Sequence, residues 1–230
     1  MVVRPLALRC AAEVAGTTSL VGIGTGAIAA GATAGASPQW LIAIAWFAAV
    51  AVPVVALAAV SGAHLNPAVT LALAAANRFP WSETVPYAAA QVGGAFGGSL
   101  AVLAVFGRAG HLGATVPHAV GPGATFGLEF GFTLALVASV LHLTNPRRAA
   151  RDGELLLPAA VVGVSTYLIG PWTGSSLNPA RSLAPAVLSG TFTDLWVYAV
   201  AAVAAALVGA GSVAVGRRLE RRARGPPTSP

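Results

Sequence analysis

Charged residues are scarce in this 230-residue chain, at 9% of the sequence against 56% hydrophobic residues. Lysine is absent, cysteine occurs once, at Cys10, and asparagine occurs four times. So few charges cannot cover the surface of a soluble domain of this size, which excludes a soluble fold. A single cysteine excludes an intrachain disulfide. The mean hydropathy of +0.77 instead indicates a chain that lies in a lipid bilayer.

Six apolar stretches have about the length that a helix needs to cross the hydrocarbon core, which is roughly 20 residues. They lie at 6–30, 40–60, 84–106, 125–143, 155–169 and 195–215. The fifth is short, and the first follows Arg4 and Arg9, as the apolar part of a signal peptide would. Because the first stretch is long, contains Glu13 and lacks a clear cleavage site, we read it as a retained helix and not as a cleaved leader. The predicted fold is an all-α integral membrane protein.

All 13 basic residues are arginine, and the pI is near 11, which in a soluble protein would suggest a nucleic-acid partner. Their positions argue against nucleic acid. If all six stretches cross the bilayer, only Arg108 and Arg181 fall on one side, and every other arginine falls on the opposite side. The positive-inside rule then places both termini in the cytoplasm. Losing the weak fifth span would scatter the basic clusters over both faces.

The two halves of the chain resemble each other. Residues 13–17 are echoed by residues 129–133, and Asn66-Pro67-Ala68 is echoed by Asn178-Pro179-Ala180. Each copy holds three spans, so the second copy enters the membrane from the opposite face. Such an inverted repeat places a functional site near the midplane. The predicted units are a first repeat at 1–106, an extracellular loop at 107–123, a second repeat at 124–216 and a basic cytoplasmic tail at 217–230.

The Asn-Pro-Ala motif is typical of a helix start, because asparagine is a favoured N-cap and proline fits the first helical turn. The spacing predicts short helices at 67–77 and 179–189. Eleven residues cover about 16 Å, roughly half the hydrocarbon core, so two such helices can meet tip to tip. The irregular segments before them would then line a wet cavity. The alternative, two ordinary capped helices in surface loops, leaves the duplication and the membrane-depth Arg181 unexplained.

Residues 61–70, Ser-Gly-Ala-His-Leu-Asn-Pro-Ala-Val-Thr, and 178–182, Asn-Pro-Ala-Arg-Ser, resemble the two signature loops of the aquaporin, or major intrinsic protein, family. Residues 90–94 match as well, and the resemblance covers about 8–216. It implies six transmembrane helices plus two re-entrant half helices in an inverted repeat. It further implies a homotetramer in the plasma membrane, with a pore in each subunit that passes water and small neutral solutes and excludes protons and ions.

The resemblance also assigns roles to individual residues. The amides of Asn66 and Asn178 donate hydrogen bonds to the passing solute, and Glu13 and Glu129 hold the two loops. The carbonyl oxygens that accept hydrogen bonds along the pore belong to Gly62, Ala63, His64, Gly174 and Ser176. Carried over by ungapped spacing, the selectivity filter consists of Trp46, Thr166, Ser175 and Arg181. A proton relay through the two glutamates is disfavoured, because no other acid lies in the spans.

The residues give mixed indications of the solute. Thr166 departs from the histidine of strictly water-selective members, and Trp46 is similar to the residue of glycerol-conducting ones. In contrast, Ser182 stands where glycerol facilitators carry aspartate, and Tyr198 where they tend to lack an aromatic residue. The solute stays open between water alone and water together with glycerol, urea or similar molecules.

Two further function classes compete with a channel. A secondary transporter would need ionisable coupling residues in its spans beyond two glutamates, and a structural junction protein would have only an incidental pore. The sequence contains no evident nucleophile, acid–base pair or metal-ligand cluster, since His111 and His118 lack a third ligand nearby. We therefore predict no catalytic residue, no metal and no cofactor.

Overall fold

The computed structural model describes residues 4–146 and 153–223 of the chain. These residues form eight α-helices, with short 3₁₀ turns at Ala109–Gly113 and Glu154–Leu156. The helices are α1 Leu6–Thr33, α2 Gln39–Ser61, α3 Pro67–Ala75, α4 Trp81–Phe106, α5 Pro122–Leu143, α6 Leu157–Thr173, α7 Pro179–Ser189 and α8 Leu195–Ala223.

Six helical segments are long and apolar enough to cross a membrane, which confirms the predicted number of spans. They are α1, α2, α4, α5, the segment Glu154–Thr173 that contains α6, and the segment Leu195–Gly216 of α8. The fifth span reaches the required length because the 3₁₀ turn at Glu154–Leu156 leads directly into α6. α8 continues through Ala223, so the segment predicted as a tail begins as helix. Residues 224–230 and the arginines at 147, 148 and 151 lie outside the described residues.

The two Asn-Pro-Ala motifs begin the short helices α3 and α7, with proline at the first helical position of each. α7 has the predicted bounds, but α3 ends at Ala75 and not at residue 77. The reason is Asn77, whose φ of +55° is left-handed and cannot continue an α-helix. Its N–H bonds to the carbonyl of Ala74, and the N–H of Arg78 bonds to the carbonyl of Leu73. This pattern is a Schellman motif, which satisfies the last carbonyls of the helix.

The packing of the helices follows a twofold pattern. α1 packs on α2 and α4, and in the second half α5 packs on α6 and α8 in the same way. The short helices pack across the halves, since α3 lies against α8 and α7 lies against α4. α2 and α6 contact each other, as do α3 and α7. Each half therefore completes the other, and the two short helices are enclosed by the bundle.

The contact between α1 and α4 depends on two glycines of α4. A Cβ atom at Gly94 would lie 2.4 Å from the carbonyl oxygen of Val14, and one at Gly98 would lie 2.6 Å from that of Thr18. Neither position has room for a side chain. Such close backbone approach through small residues is how helices associate strongly in lipid, and it fixes α1 against α4.

Candidate functional site

The N-termini of α3 and α7 meet inside the bundle. Nδ2 of Asn66 donates to the carbonyl oxygen of Leu177 at 2.8 Å, and Nδ2 of Asn178 donates to that of Leu65 at 2.8 Å. The Oδ1 atom of each asparagine caps its own helix by accepting the backbone N–H two residues further on. An amide nitrogen carries two hydrogens. One N–H of each asparagine therefore holds the opposite loop, and a second N–H remains on the same nitrogen.

The loops that lead to the two tips have a strained backbone. α2 ends at Gly62 and α6 ends at Gly174, which have φ values of 88° and 81°. Four further residues in these loops are left-handed although they carry side chains, namely Ala63, Leu65, Ser175 and Leu177. A left-handed conformation costs such residues about 1–2 kcal/mol each. The surrounding structure must supply interactions that offset this strain.

Glu13 supplies the interactions that stabilise the strained loop in the first half of the chain. Its side chain is completely buried. Oε1 accepts hydrogen bonds from the Ser61 hydroxyl at 2.7 Å and from the N–H of His64 at 3.0 Å. Oε2 accepts the N–H of Leu65 at 2.7 Å and the Gln91 amide at 2.8 Å. The carboxylate thus binds two backbone N–H groups that the left-handed loop leaves without a helical partner.

Glu129 repeats this arrangement in the second half, where it is 1% exposed. Oε1 accepts the Thr173 hydroxyl at 2.7 Å and the N–H of Ser176 at 3.0 Å, and Oε2 accepts the N–H of Leu177 at 3.0 Å. Hydrogen bonds to a charged acceptor are stronger than neutral ones. Both glutamates are committed to loop backbone, and this geometry gives no support to a proton relay.

Two cavities adjoin at Trp46 and Arg181, which line both of them. The first, named the Thr166 cavity because Thr166 lines it, has a volume of about 470 Å³ and is also lined by Gly174. The second, named the His64 cavity because His64 lines it, has a volume of about 280 Å³ and is also lined by Asn66 and Asn178. Among the described residues that line these cavities, Arg181 is the one lysine, arginine, aspartate or glutamate.

The wall of the His64 cavity has two chemical characters. Residues of the two loops line it, namely Gly62, Ala63, His64 and Ser176. Much of the remaining wall is aliphatic and comes from several helices, with Leu20, Val50, Val54, Val69, Leu73, Leu136, Val140 and Val162. The cavity can therefore hydrogen-bond a small polar molecule along one stripe and offers little to it elsewhere.

The boundary between the cavities is formed by one aromatic ring and one guanidinium group. The guanidinium carbon of Arg181 lies 4.5 Å from the centroid of the Trp46 ring, in a cation–π contact. Nη1 of Arg181 donates to the carbonyl oxygen of Gly113 at 2.8 Å. Nε and Nη2 are buried and have no hydrogen-bond partner among the described residues. Buried donors of this kind can bind a molecule that passes beside them.

The structure brings three of the four predicted filter residues together and leaves out the fourth. Trp46, Thr166 and Arg181 line the Thr166 cavity, but Ser175 is not among the described residues that line either cavity. The Ser175 hydroxyl is instead paired with that of Ser165 in α6 at 3.0 Å. Ser175 has a left-handed φ of 45°. The place of Ser175 in the selectivity filter stays a prediction.

Side-chain contacts that the sequence did not predict support the two loops. In each copy, the residue four positions after the motif asparagine hydrogen-bonds the side chain of the residue two positions before that asparagine. The Thr70 hydroxyl lies 3.1 Å from Nδ1 of His64, and the Ser182 hydroxyl contacts that of Ser176. The Thr115 hydroxyl in turn lies 2.8 Å from that of Ser182. The matching positions of Thr70 and Ser182 in the two copies are the sequence signal for these pairs.

Two polar residues at the ends of helices also position the constriction. The Gln39 side-chain amide, at the start of α2, donates to the carbonyl oxygen of Thr166 in α6. Tyr198 is buried, and its hydroxyl donates to the carbonyl oxygen of Thr173 at 2.6 Å. Within the described ranges, no group of three or more His, Cys, Asp or Glu residues is placed to hold a metal ion. His111 and His118 both line the Thr166 cavity.

Comparison with known proteins assigns this architecture. A model of the major intrinsic protein family matches residues 4–212. The chain belongs to the major intrinsic protein family. Aquaporin NIP1-3 of Oryza sativa subsp. japonica is 40% identical over 201 residues, covering 86% of this chain and 70% of that protein. Aquaporin NIP6-1 of Arabidopsis thaliana is 38% identical over 207 residues, covering 89% and 67%.

A solved structure gives the same result. The aquaglyceroporin from Plasmodium falciparum matches with a TM-score of 0.80 and 26% sequence identity, over 90% of this chain and 95% of that chain. The family and this match confirm the predicted aquaporin-like fold. As a major intrinsic protein, the chain is a multi-pass membrane channel and not an enzyme.

Proposed function

We propose that the channel conducts water and small linear polyols such as glycerol, and that Trp46 and Arg181 select them. The observation that carries this proposal is the pairing of an apolar ring with unused guanidinium donors where the two cavities adjoin. A polyol presents hydroxyl groups along one edge and C–H groups along the other. Its hydroxyls can accept hydrogen bonds from Arg181 while its carbon atoms slide along the Trp46 ring.

Thr166 contributes to the same preference. A threonine is smaller than a histidine and leaves a wider opening beside the ring and the guanidinium group. Beyond the constriction, the loop carbonyls of the His64 cavity accept hydrogen bonds from the solute hydroxyls, and the second N–H of Asn66 and Asn178 donates to them. The aliphatic wall forms no hydrogen bonds with the solute, so the solute is bound weakly enough to pass through the pore.

The same parts exclude ions. The N-terminus of each short helix carries about half a positive charge, and the two N-termini meet at the asparagines. A buried arginine adds a full positive charge at the constriction. A cation or hydronium ion is therefore repelled at two successive points, as in aquaporin-type pores generally.

The matched solved structure is that of an aquaglyceroporin, which supports a polyol solute. We further propose a plasma-membrane homotetramer with both termini in the cytoplasm. Six spans put the two ends of the chain on the same side, and the arginine distribution favours the cytoplasm for that side. The loop carrying Arg108 then faces outward.

Stopped-flow light scattering on proteoliposomes tests the solute. Native protein is expected to raise both water and glycerol permeability above those of empty liposomes made from the same lipids. If glycerol permeability stays at the empty-liposome value while water permeability rises, the protein is a strictly water-selective channel. That second reading is favoured by Ser182, which stands where glycerol facilitators carry aspartate.

A histidine at position 166 should narrow the filter. In Thr166→His, an imidazole enters the opening beside Trp46 and Arg181, so glycerol permeability should fall about tenfold and water permeability about twofold. The ratio of the two permeabilities is measured in one vesicle preparation, so protein density cancels. Thr191→His is the matched control, because Thr191 lines the same cavity but lies beyond the C-terminal end of α7, whereas Arg181 lies in the first turn of that helix. An equal change of the ratio in both variants would contradict the role of Thr166.

A further inference from the structure

One face of α1 lies directly against the Trp46 ring at Gly24. A Cβ atom built on Gly24 would lie 2.6 Å from each of Cε3, Cζ3 and Cη2 of Trp46. Three equal distances to consecutive atoms of a six-membered ring put that Cβ over the face of the ring. Carbon atoms in ordinary contact are about 3.5–4.0 Å apart. Any side chain at this position would therefore displace the ring by about 1 Å.

The direction of that displacement is set by what surrounds the ring. Trp46 is 3% exposed, with α1 behind it and the two cavities in front. Since α1 is itself fixed by the close contacts of Gly94 and Gly98 on α4, it cannot retreat. The ring can move only toward the space it lines, which is the boundary that it shares with Arg181.

We propose that Gly24 is a specificity-determining residue of the channel. Because Gly24 has no side chain, the Trp46 ring can pack directly against α1. How closely the ring packs against α1 determines the width of the constriction. The inference rests on the proposed role of Trp46 and Arg181 as the filter. Gly24 acts through Trp46 and does not itself line either cavity among the described residues, so it is a positioning residue for the solute path.

The chain offers a matched control on the same helix. A Cβ atom on Gly26 would meet only Val102, with its Cγ2 atom 3.6 Å away, which is an ordinary contact. Gly24→Ala and Gly26→Ala are thus the same chemical change, two residues apart, with and without a clash against the filter. Any general effect of alanine on α1 appears in both variants.

The experiment measures water and glycerol permeability of proteoliposomes with these two variants. Gly24→Ala is expected to lower glycerol permeability about fivefold or more and water permeability by less than about twofold. Glycerol is the larger solute, so its passage is more sensitive to a constriction narrowed by about 1 Å. Gly26→Ala should keep both native values. An unchanged ratio of glycerol to water permeability in Gly24→Ala, with native protein conducting glycerol, overturns the inference.

A double substitution keeps the inference testable if Gly24→Ala does not fold. Trp46→Phe removes the outer ring atoms that the new methyl group would strike, so Gly24→Ala combined with Trp46→Phe should fold and show the permeability ratio of Trp46→Phe alone. A lower ratio in the double variant means that Gly24 acts by another route, which overturns the inference. If native protein conducts no glycerol, the proposed solute is wrong. The inference is then decided by water permeability, which must be lower in Gly24→Ala than in Gly26→Ala.

Discussion

Glu129→Ala is expected to destabilise the protein strongly and to abolish conduction. The substitution leaves the N–H groups of Ser176 and Leu177 buried without their acceptor, together with the Thr173 hydroxyl. Each orphaned amide costs about 1–3 kcal/mol. The summed cost is a large part of the free energy of unfolding, which is roughly 5–15 kcal/mol for most folded proteins. Thermal unfolding in detergent micelles should show a Tm lower by about 5–20 °C.

Two other glutamates provide the comparison. Glu13→Ala should cause a similar loss, because Glu13 binds the first loop through the same kind of contacts. Glu83→Ala should shift the Tm by only a few degrees, since Glu83 pairs with Arg9 near the surface at 2.7 Å and holds no loop backbone. A Glu129→Ala protein that melts and conducts like the Glu83→Ala protein would show that the loop keeps its shape without the carboxylate.

The parts of the fold that could be predicted from the sequence are those that depend on local chemistry. An asparagine followed by proline starts a helix by its own side chain and its fixed φ angle, so the beginnings of α3 and α7 could be read directly. The six spans follow from apolar length alone. The end of α3 was predicted two residues late, because Asn77 was counted in the helix, whereas its left-handed φ places it after the C-cap Ala76.

The contacts that join distant segments could not be predicted in this way. The carbonyl oxygens of Leu65 and Leu177 hold the opposite asparagines only because both residues have positive φ. Gly113 binds Arg181 through a carbonyl in a connecting loop, where its left-handed φ of 66° directs the oxygen. Backbone carbonyls carry no residue-specific signal, so only the folded chain identifies them.

Ser175 illustrates the limit of spacing. Counting back from Arg181 locates a position along the chain, but it does not give the direction of a side chain on a strained backbone. The hydroxyl found a partner in Ser165, one residue before Thr166 in α6. The competition between a cavity and a neighbouring hydroxyl decides which way the Ser175 side chain points.

Arg181→Val is expected to make the pore leak protons. Among the described residues lining the two cavities, Arg181 is the one lysine, arginine, aspartate or glutamate, and it is 1% exposed, so water screens its charge poorly. Removing the charge lowers the barrier for a hydronium ion, and each reduction of about 1.4 kcal/mol raises the passage rate about tenfold. The positive N-termini of α3 and α7 remain, so the leak should stay far below the water permeability.

The measurement uses a pH-sensitive dye trapped in proteoliposomes under an imposed proton gradient, with water permeability recorded on the same vesicles. Arg181→Val should raise the proton flux about tenfold or more while water permeability changes by less than about threefold. Arg108→Val is the matched control, because Arg108 is exposed and donates to the carbonyl oxygen of Ser189 at the C-terminal end of α7. Equal proton flux in the native, Arg181→Val and Arg108→Val proteins would mean that the half-helix tips exclude protons without help from Arg181. The positive charge beside Trp46 would then serve to orient the solute alone.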